Sequence, residues 1–104
     1  MKLVTLQNNQ IVVYRNTTYT DQEFSAHYEF YSYGTLIAEY LGSMDNFSKD
    51  IINLTKYYDY SKTTSKWLKV FLHDYCDFYY KDKKELDNII SKGGSEHAIV
   101  KIID

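Results

Sequence analysis

At 104 residues, with 44% hydrophobic and 25% charged side chains, the chain has room for one modest core and lacks the composition of a disordered or fibrous protein. A net charge of −2 with a single arginine, Arg15, excludes a global field for drawing in nucleic acid, which needs clustered Lys and Arg. One cysteine, Cys76, cannot close an internal disulfide, no apolar run approaches membrane-spanning length, and the N-terminus turns polar too early for a secretory signal; a cytoplasmic protein is expected. With no proline and four glycines there is no linker to divide the chain, so residues 1–104 read as a single domain.

In chain order, Leu3–Leu6 and Ile11–Arg15 are short β-rich runs around Asn8-Asn9, a hairpin in which asparagine tolerates positive φ. The polar stretch from Asn16 to Ser25 reads as a long loop or an extended edge. His27 to Tyr33 alternates with a two-residue period, and Thr35 to Leu41 repeats it after Gly34, which predicts paired antiparallel strands. Gly42 to Asn46 supplies a turn, and Ile51–Leu54 is a fifth strand.

From Thr63 the period lengthens. Thr64, Trp67, Leu68, Phe71, Leu72 and Tyr75 share one helical stripe, while Lys62, Lys66, Lys69, His73 and Asp77 lie off it. Ser61 or Thr63 can cap the first turn, with Asp59 adding favourable negative charge, and Trp67, Leu68, Phe71 and Leu72 are expected in the core. A capping-box pattern, Asp82-Lys83-Lys84-Glu85, starts a second helix through Leu86, Ile89 and Ile90 that Gly93-Gly94 ends. Ala98 to Ile103 is a final strand, added to the sheet because a free apolar tail would aggregate. The expected fold is α+β: a mainly antiparallel sheet, one long amphipathic helix packed on it, and a shorter helix before a C-terminal strand.

Two blocks, Tyr31-Ser32-Tyr33-Gly34-Thr35-Leu36-Ile37-Ala38 and the segment Tyr58-Asp59-Tyr60-Ser61-Lys62-Thr63-Thr64-Ser65-Lys66-Trp67-Leu68-Lys69-Val70-Phe71-Leu72, carry a resemblance. They are similar to small uncharacterised proteins from phages and mobile elements of Gram-positive bacteria, in which a Y-S-Y-x-T-x-I-A strand precedes a Y-x-Y-S-x-T-T-x-K-x-L-x-x-F-L helix start. The resemblance covers roughly the middle third, leaves Asp74 to Asp104 outside, and implies a phage or prophage source without an activity.

Chemistry-bearing residues are few. His73 and Cys76 lie three apart on the expected helix, but a zinc site needs further ligands, and Cys76 beside Asp74 and Asp77 lacks the electropositive setting of a reactive thiol. No metal, no cofactor and no catalysis are expected. Twelve tyrosines supply recognition surface at low entropic cost, and strand alternation cannot bury both Tyr28 and Tyr31. Asp74, Asp77, Asp82 and Glu85 with Tyr57, Tyr58, Tyr75, Tyr79 and Tyr80 form an acidic, aromatic set suited to a basic groove on a host protein. That set, with the phage resemblance, favours a protein-binding inhibitor of a bacterial defence enzyme, of the anti-CRISPR kind. Lys62, Lys66 and Lys69 favour an alternative, a nucleic-acid-binding accessory protein using phosphate contacts and ring stacking. A homo-oligomer that buries its tyrosines in a symmetric interface is a third reading.

Overall fold

The computed structural model describes residues 2–45 and 47–103. Strands β1 (Lys2–Gln7) and β2 (Gln10–Tyr14) form the first hairpin, with Asn9 at φ 66°, as expected from the asparagine pair. The segment read as a loop or edge instead holds a miniature hairpin, β3 (Thr18–Tyr19) and β4 (Gln22–Glu23). Its two turn residues, Thr20 and Asp21, both take positive φ, which the sequence did not signal because neither is glycine or asparagine. Strands β5 (Ala26–Ser32) and β6 (Thr35–Gly42) pair through a turn at Tyr33 and Gly34, and β7 (Asp50–Leu54) adds to β6. Asn46, the last residue of the expected Gly42–Asn46 turn, lies outside the described residues.

Up to β7 every pairing in the main sheet is antiparallel. The last strand, β8 (Ala98–Ile102), pairs parallel to β7, which no tight turn can achieve. Helices α1 (Lys62–Cys76) and α2 (Lys83–Ser91) make the crossover, and the strand order is β1-β2-β5-β6-β7-β8. Neither helix is long and apolar enough to cross a membrane.

Pleating divides the side chains between two faces. Cross-strand partners Val12, Phe30, Ala38 and Leu54 lie on the face beneath α1, as do Tyr14, Tyr28, Tyr40, Ile52 and Val100. A register shift after Phe30 makes Ile37 an extra residue in β6, and Ile37 is also buried in this core. From α1, Leu68, Phe71 and Leu72 descend onto it, with Phe71 stacked on Phe30 at 5.5 Å between centroids. Trp67, expected in the core, is only half-buried: it stands at the edge of the stripe, with the Lys66 amine 5.3 Å from its ring.

Tyr14, Tyr28, Tyr40 and Tyr75 form a connected aromatic layer within this core. Burial is the largest cause pushing the phenols of Tyr28, Tyr40, Tyr75 and Tyr80 above their ordinary range, and it pushes Tyr58 up to about 12, with the Asp87 carboxylate adding to it. In the unfolded chain these phenols titrate near 10, so between pH 10 and 12 the unfolded state sheds protons that the folded state keeps. The stabilisation is therefore complete below about pH 9 and drains away as pH rises through 10. Urea unfolding at pH 8, 9 and 11 is expected to show a constant midpoint up to about pH 9, then a loss of about 2 kcal/mol or more by pH 11; a flat profile to pH 11 contradicts the burial of these hydroxyls.

Candidate functional site

Both helices start beside one another. Ser61 caps α1 by accepting from the Thr64 amide at 3.1 Å, and Asp82 caps α2 by accepting from Glu85 N at 2.9 Å. Glu85 reaches past the cap to the Lys81 amide at 2.8 Å, a capping box displaced by one residue. Between the helix starts lies a groove of about 450 Å³, with both capping residues among its walls. Leu68, Leu86 and Tyr80 are buried and make an apolar floor, while the exposed Lys62, Lys66, Lys69 and Lys83 stand around it.

Four lysines against Asp59 and Asp82 make the groove positive on a chain whose net charge is −2. Lys83 is held at 2.7 Å by Asp87 and at 3.4 Å by Asp59, and Asp87 also accepts from the Tyr58 hydroxyl at 2.6 Å. Lys83 first and Tyr58 second hold the Asp87 carboxyl below the usual range. On the α1 side, Lys69 donates to the Lys81 carbonyl at 2.7 Å and stands 5.8 Å from the Tyr80 ring. Among the described residues none of Lys62, Lys66 and Lys69 pairs with a carboxylate, so this side of the groove keeps its charge for a partner.

The acidic, aromatic set is dispersed. Tyr80 is 8% exposed and belongs to the core and the groove floor, so it is not an outward contact residue. Tyr75 is half-buried against Tyr14, Tyr28 and Phe71, and Tyr58 is half-buried against α2. Asp82 and Glu85 are spent on capping α2. Asp74, Asp77 and Tyr79 remain together at the end of α1, where the Tyr79 hydroxyl donates to Asp77 and its ring meets His73 at 4.4 Å. Tyr57 is exposed on a separate, smaller depression with Tyr33 and Tyr60. His73 and Cys76 diverge: His73 is exposed beside Asp74, whereas Cys76 is 3% exposed in the core, its thiol pushed well up by burial.

On the opposite face of the sheet a polar cluster escaped the sequence reading. His27 (6% exposed) and Glu39 (8%) are buried there, with the ring Nε2 2.9 Å from Glu39 Oε2. Asn53 Nδ2 donates to Glu39 Oε1 at 3.0 Å, and His27 Nδ1 lies 3.0 Å from the Asn16 carbonyl. Glu29, directly across the strand pair from Glu39, is held by Arg15 and by the Tyr31 hydroxyl at 3.1 Å. The Tyr19 ring of the miniature hairpin packs edge-on to His27. The available signal was His27-x-Glu29 at strand period followed by Glu39 in the next strand, which alternation places on one face.

Fold and groove together define a small α+β protein with a cationic cleft between the starts of its two helices. The chain belongs to a family of unknown function, DUF8033, whose model matches residues 1–88 and so spans every residue lining the groove. No curated protein and no solved structure matches the chain.

Proposed function

We propose that the protein is a binding module that captures an acidic, amphipathic segment of a partner protein in the α1–α2 groove. The observation that carries this reading is the pairing of an apolar floor, Leu68, Leu86 and Tyr80, with the lysines Lys62, Lys66 and Lys69 along one wall. An amphipathic helix or strand can lay its apolar residues on that floor while its carboxylates meet the wall. Naked nucleic acid fits less well. Sequence-tolerant binding to a single strand relies on open ring faces, and the groove's rings are engaged: Tyr80 is buried and Tyr58 is tied to Asp87.

The polarity is the reverse of the sequence reading, which had the protein's own acidic set occupying a basic surface. In the phage setting that the resemblance implies, the partner is a host protein, and capture of its acidic segment is the inhibitory act. The test is titration of the tag-free, ¹⁵N-labelled protein with an acidic amphipathic peptide, and separately with single-stranded DNA and RNA of matched charge. Peptide-induced shifts confined to residues 58–69 and 80–86 are expected, weakening as salt is raised. Shifts with the oligonucleotides alone would transfer the groove to the nucleic-acid reading, and shifts centred on Asp74, Asp77 and Tyr79 would restore the acidic-surface reading.

A further inference from the structure

The polar cluster on the far face of the sheet brings two carboxylates to one buried imidazole. His27 Nδ1 lies 3.0 Å from a backbone carbonyl, so that nitrogen donates and Nε2 is the ring atom turned to the carboxylates. Nε2 lies 2.9 Å from Glu39 Oε2, a separation that takes a cation between the two atoms or a second proton on the ring. Beside them, Glu29 and Glu39 are direct cross-strand partners, an arrangement of like charges that is unfavourable in a sheet. Asn53 adds a buried Oδ1 that has no hydrogen-bond partner among the described residues. Two carboxylates here face one guanidinium, so the pair is balanced by a second positive charge, either a second proton on His27 or a bound cation.

We propose that His27, Glu29 and Glu39 form a site for a divalent transition-metal ion of the zinc class. One ligand atom from each of the three lies within 4.8 Å of the others. Metal–ligand bonds of about 2.0–2.2 Å set tetrahedral ligands roughly 3.3–3.6 Å apart, so small side-chain rotations close the site. Imidazole with carboxylates is a donor set for zinc and its neighbours, whereas calcium and magnesium prefer oxygen alone.

The supporting partners are those that metal ligands use. A backbone carbonyl fixes the His27 ring through Nδ1, Asn53 orients Glu39, and Arg15 with Tyr31 orients Glu29. Buried Val13 and Leu41, the cross-strand partners of Glu29 and His27, supply apolar neighbours, while Glu29, with 13% of its side chain exposed, marks the way in. This inference is independent of the groove and departs from the expectation of no metal, which considered only His73 and Cys76.

Tag-free protein stripped with chelator is titrated with Zn²⁺ by calorimetry, and the His27 ring nitrogens are followed by long-range ¹H–¹⁵N correlation. One equivalent of zinc is expected to bind with a metal-ligated Nε2 signal. Glu29→Gln, at the more exposed ligand, is expected to stay folded and weaken binding by more than about 100-fold, beyond the 10–100-fold of a merely supporting partner. Asn53→Ala is expected to cost about tenfold. A wild-type His27 spectrum unmoved by equimolar zinc would overturn the site and assign the missing charge to a second ring proton. Zinc binding undiminished in folded Glu29→Gln would overturn it equally, by placing the metal on an exposed histidine such as His73 or His97.

Discussion

Reversing Lys62, Lys66 and Lys69 together to glutamate is expected to weaken capture of an acidic peptide by about 100-fold or more. Each lysine is exposed, so a single contact with a carboxylate is worth about 0.2–1 kcal/mol. Reversal replaces that attraction with a repulsion of similar size, and three such changes amount to about 3 kcal/mol, or roughly two orders of magnitude in affinity. The helix should tolerate the change. Lys62 and Lys66 already repel one another at four-residue spacing, as two glutamates would, and acidic groups are favoured near a helix start. Only Lys69 gives up a structural contact, its bond to the Lys81 carbonyl. Lys69→Gln alone therefore serves as the control and is expected to cost less than about tenfold. Lys83 is left alone because its pair with Asp59 ties α2 to the segment preceding α1. Fluorescence anisotropy at low and at physiological salt reads the effect, with circular dichroism to verify folding. A triple variant that binds within about threefold of wild type would separate the lysines from any peptide site.

The same residues show where sequence carries site information and where it stops. The helical period identified Lys62, Lys66 and Lys69 as off the buried stripe, and all three are exposed. Each cap also stood where its residue type and spacing placed it, because N-capping is local chemistry. What local pattern cannot give is the distance between helices. Tyr80 and Asp82 read as members of an acidic surface because they follow Asp77 closely in sequence. Asp77 takes a left-handed conformation after α1, however, and the chain that follows turns beneath α1, with Phe78 and Tyr80 entering the core. The lysines thereby come to share one groove with Tyr80 and Asp82, while Asp74, Asp77 and Tyr79 stay outside it. His27, Glu29 and Glu39 were hidden for a related reason: two strands must pair in a particular register before Glu29 faces Glu39, and that register includes a bulge at Ile37. The parallel partner of β7 was likewise beyond local reading, since an apolar tail predicts a strand but not its direction.

The two glycines after α2 illustrate how different two equal-looking residues become, and they carry the other large effect expected here. Both end the helix, with Gly93 N bonded to the Ile90 carbonyl and Gly94 N to the Ile89 carbonyl, each at 3.0 Å. Gly93 has φ +81°, and a Cβ added there would meet open space. Gly94 has φ +137°, and a Cβ would lie 2.2 Å from the Ala98 carbonyl oxygen and 2.9 Å from Val100 N. Those atoms belong to the backbone of β8, so no side-chain rotation can relieve the clash. Val100 N also donates to the Gly93 carbonyl and Ser95 N to the Ala98 carbonyl, so the turn clasps the outer edge of the last strand. Gly93→Ala is expected to cost about 1–2 kcal/mol, the strain of a left-handed alanine. Gly94→Ala is expected to cost about 3–5 kcal/mol, because it adds displacement of β8, and with it Val100, from the core to a strained backbone. Urea midpoints measure the two costs, and amide exchange locates them: Gly94→Ala should deprotect β8 well before β5 and β6. Equal costs at the two positions would mean that the turn does not hold the strand, and that β8 is fixed by its parallel pairing with β7 alone.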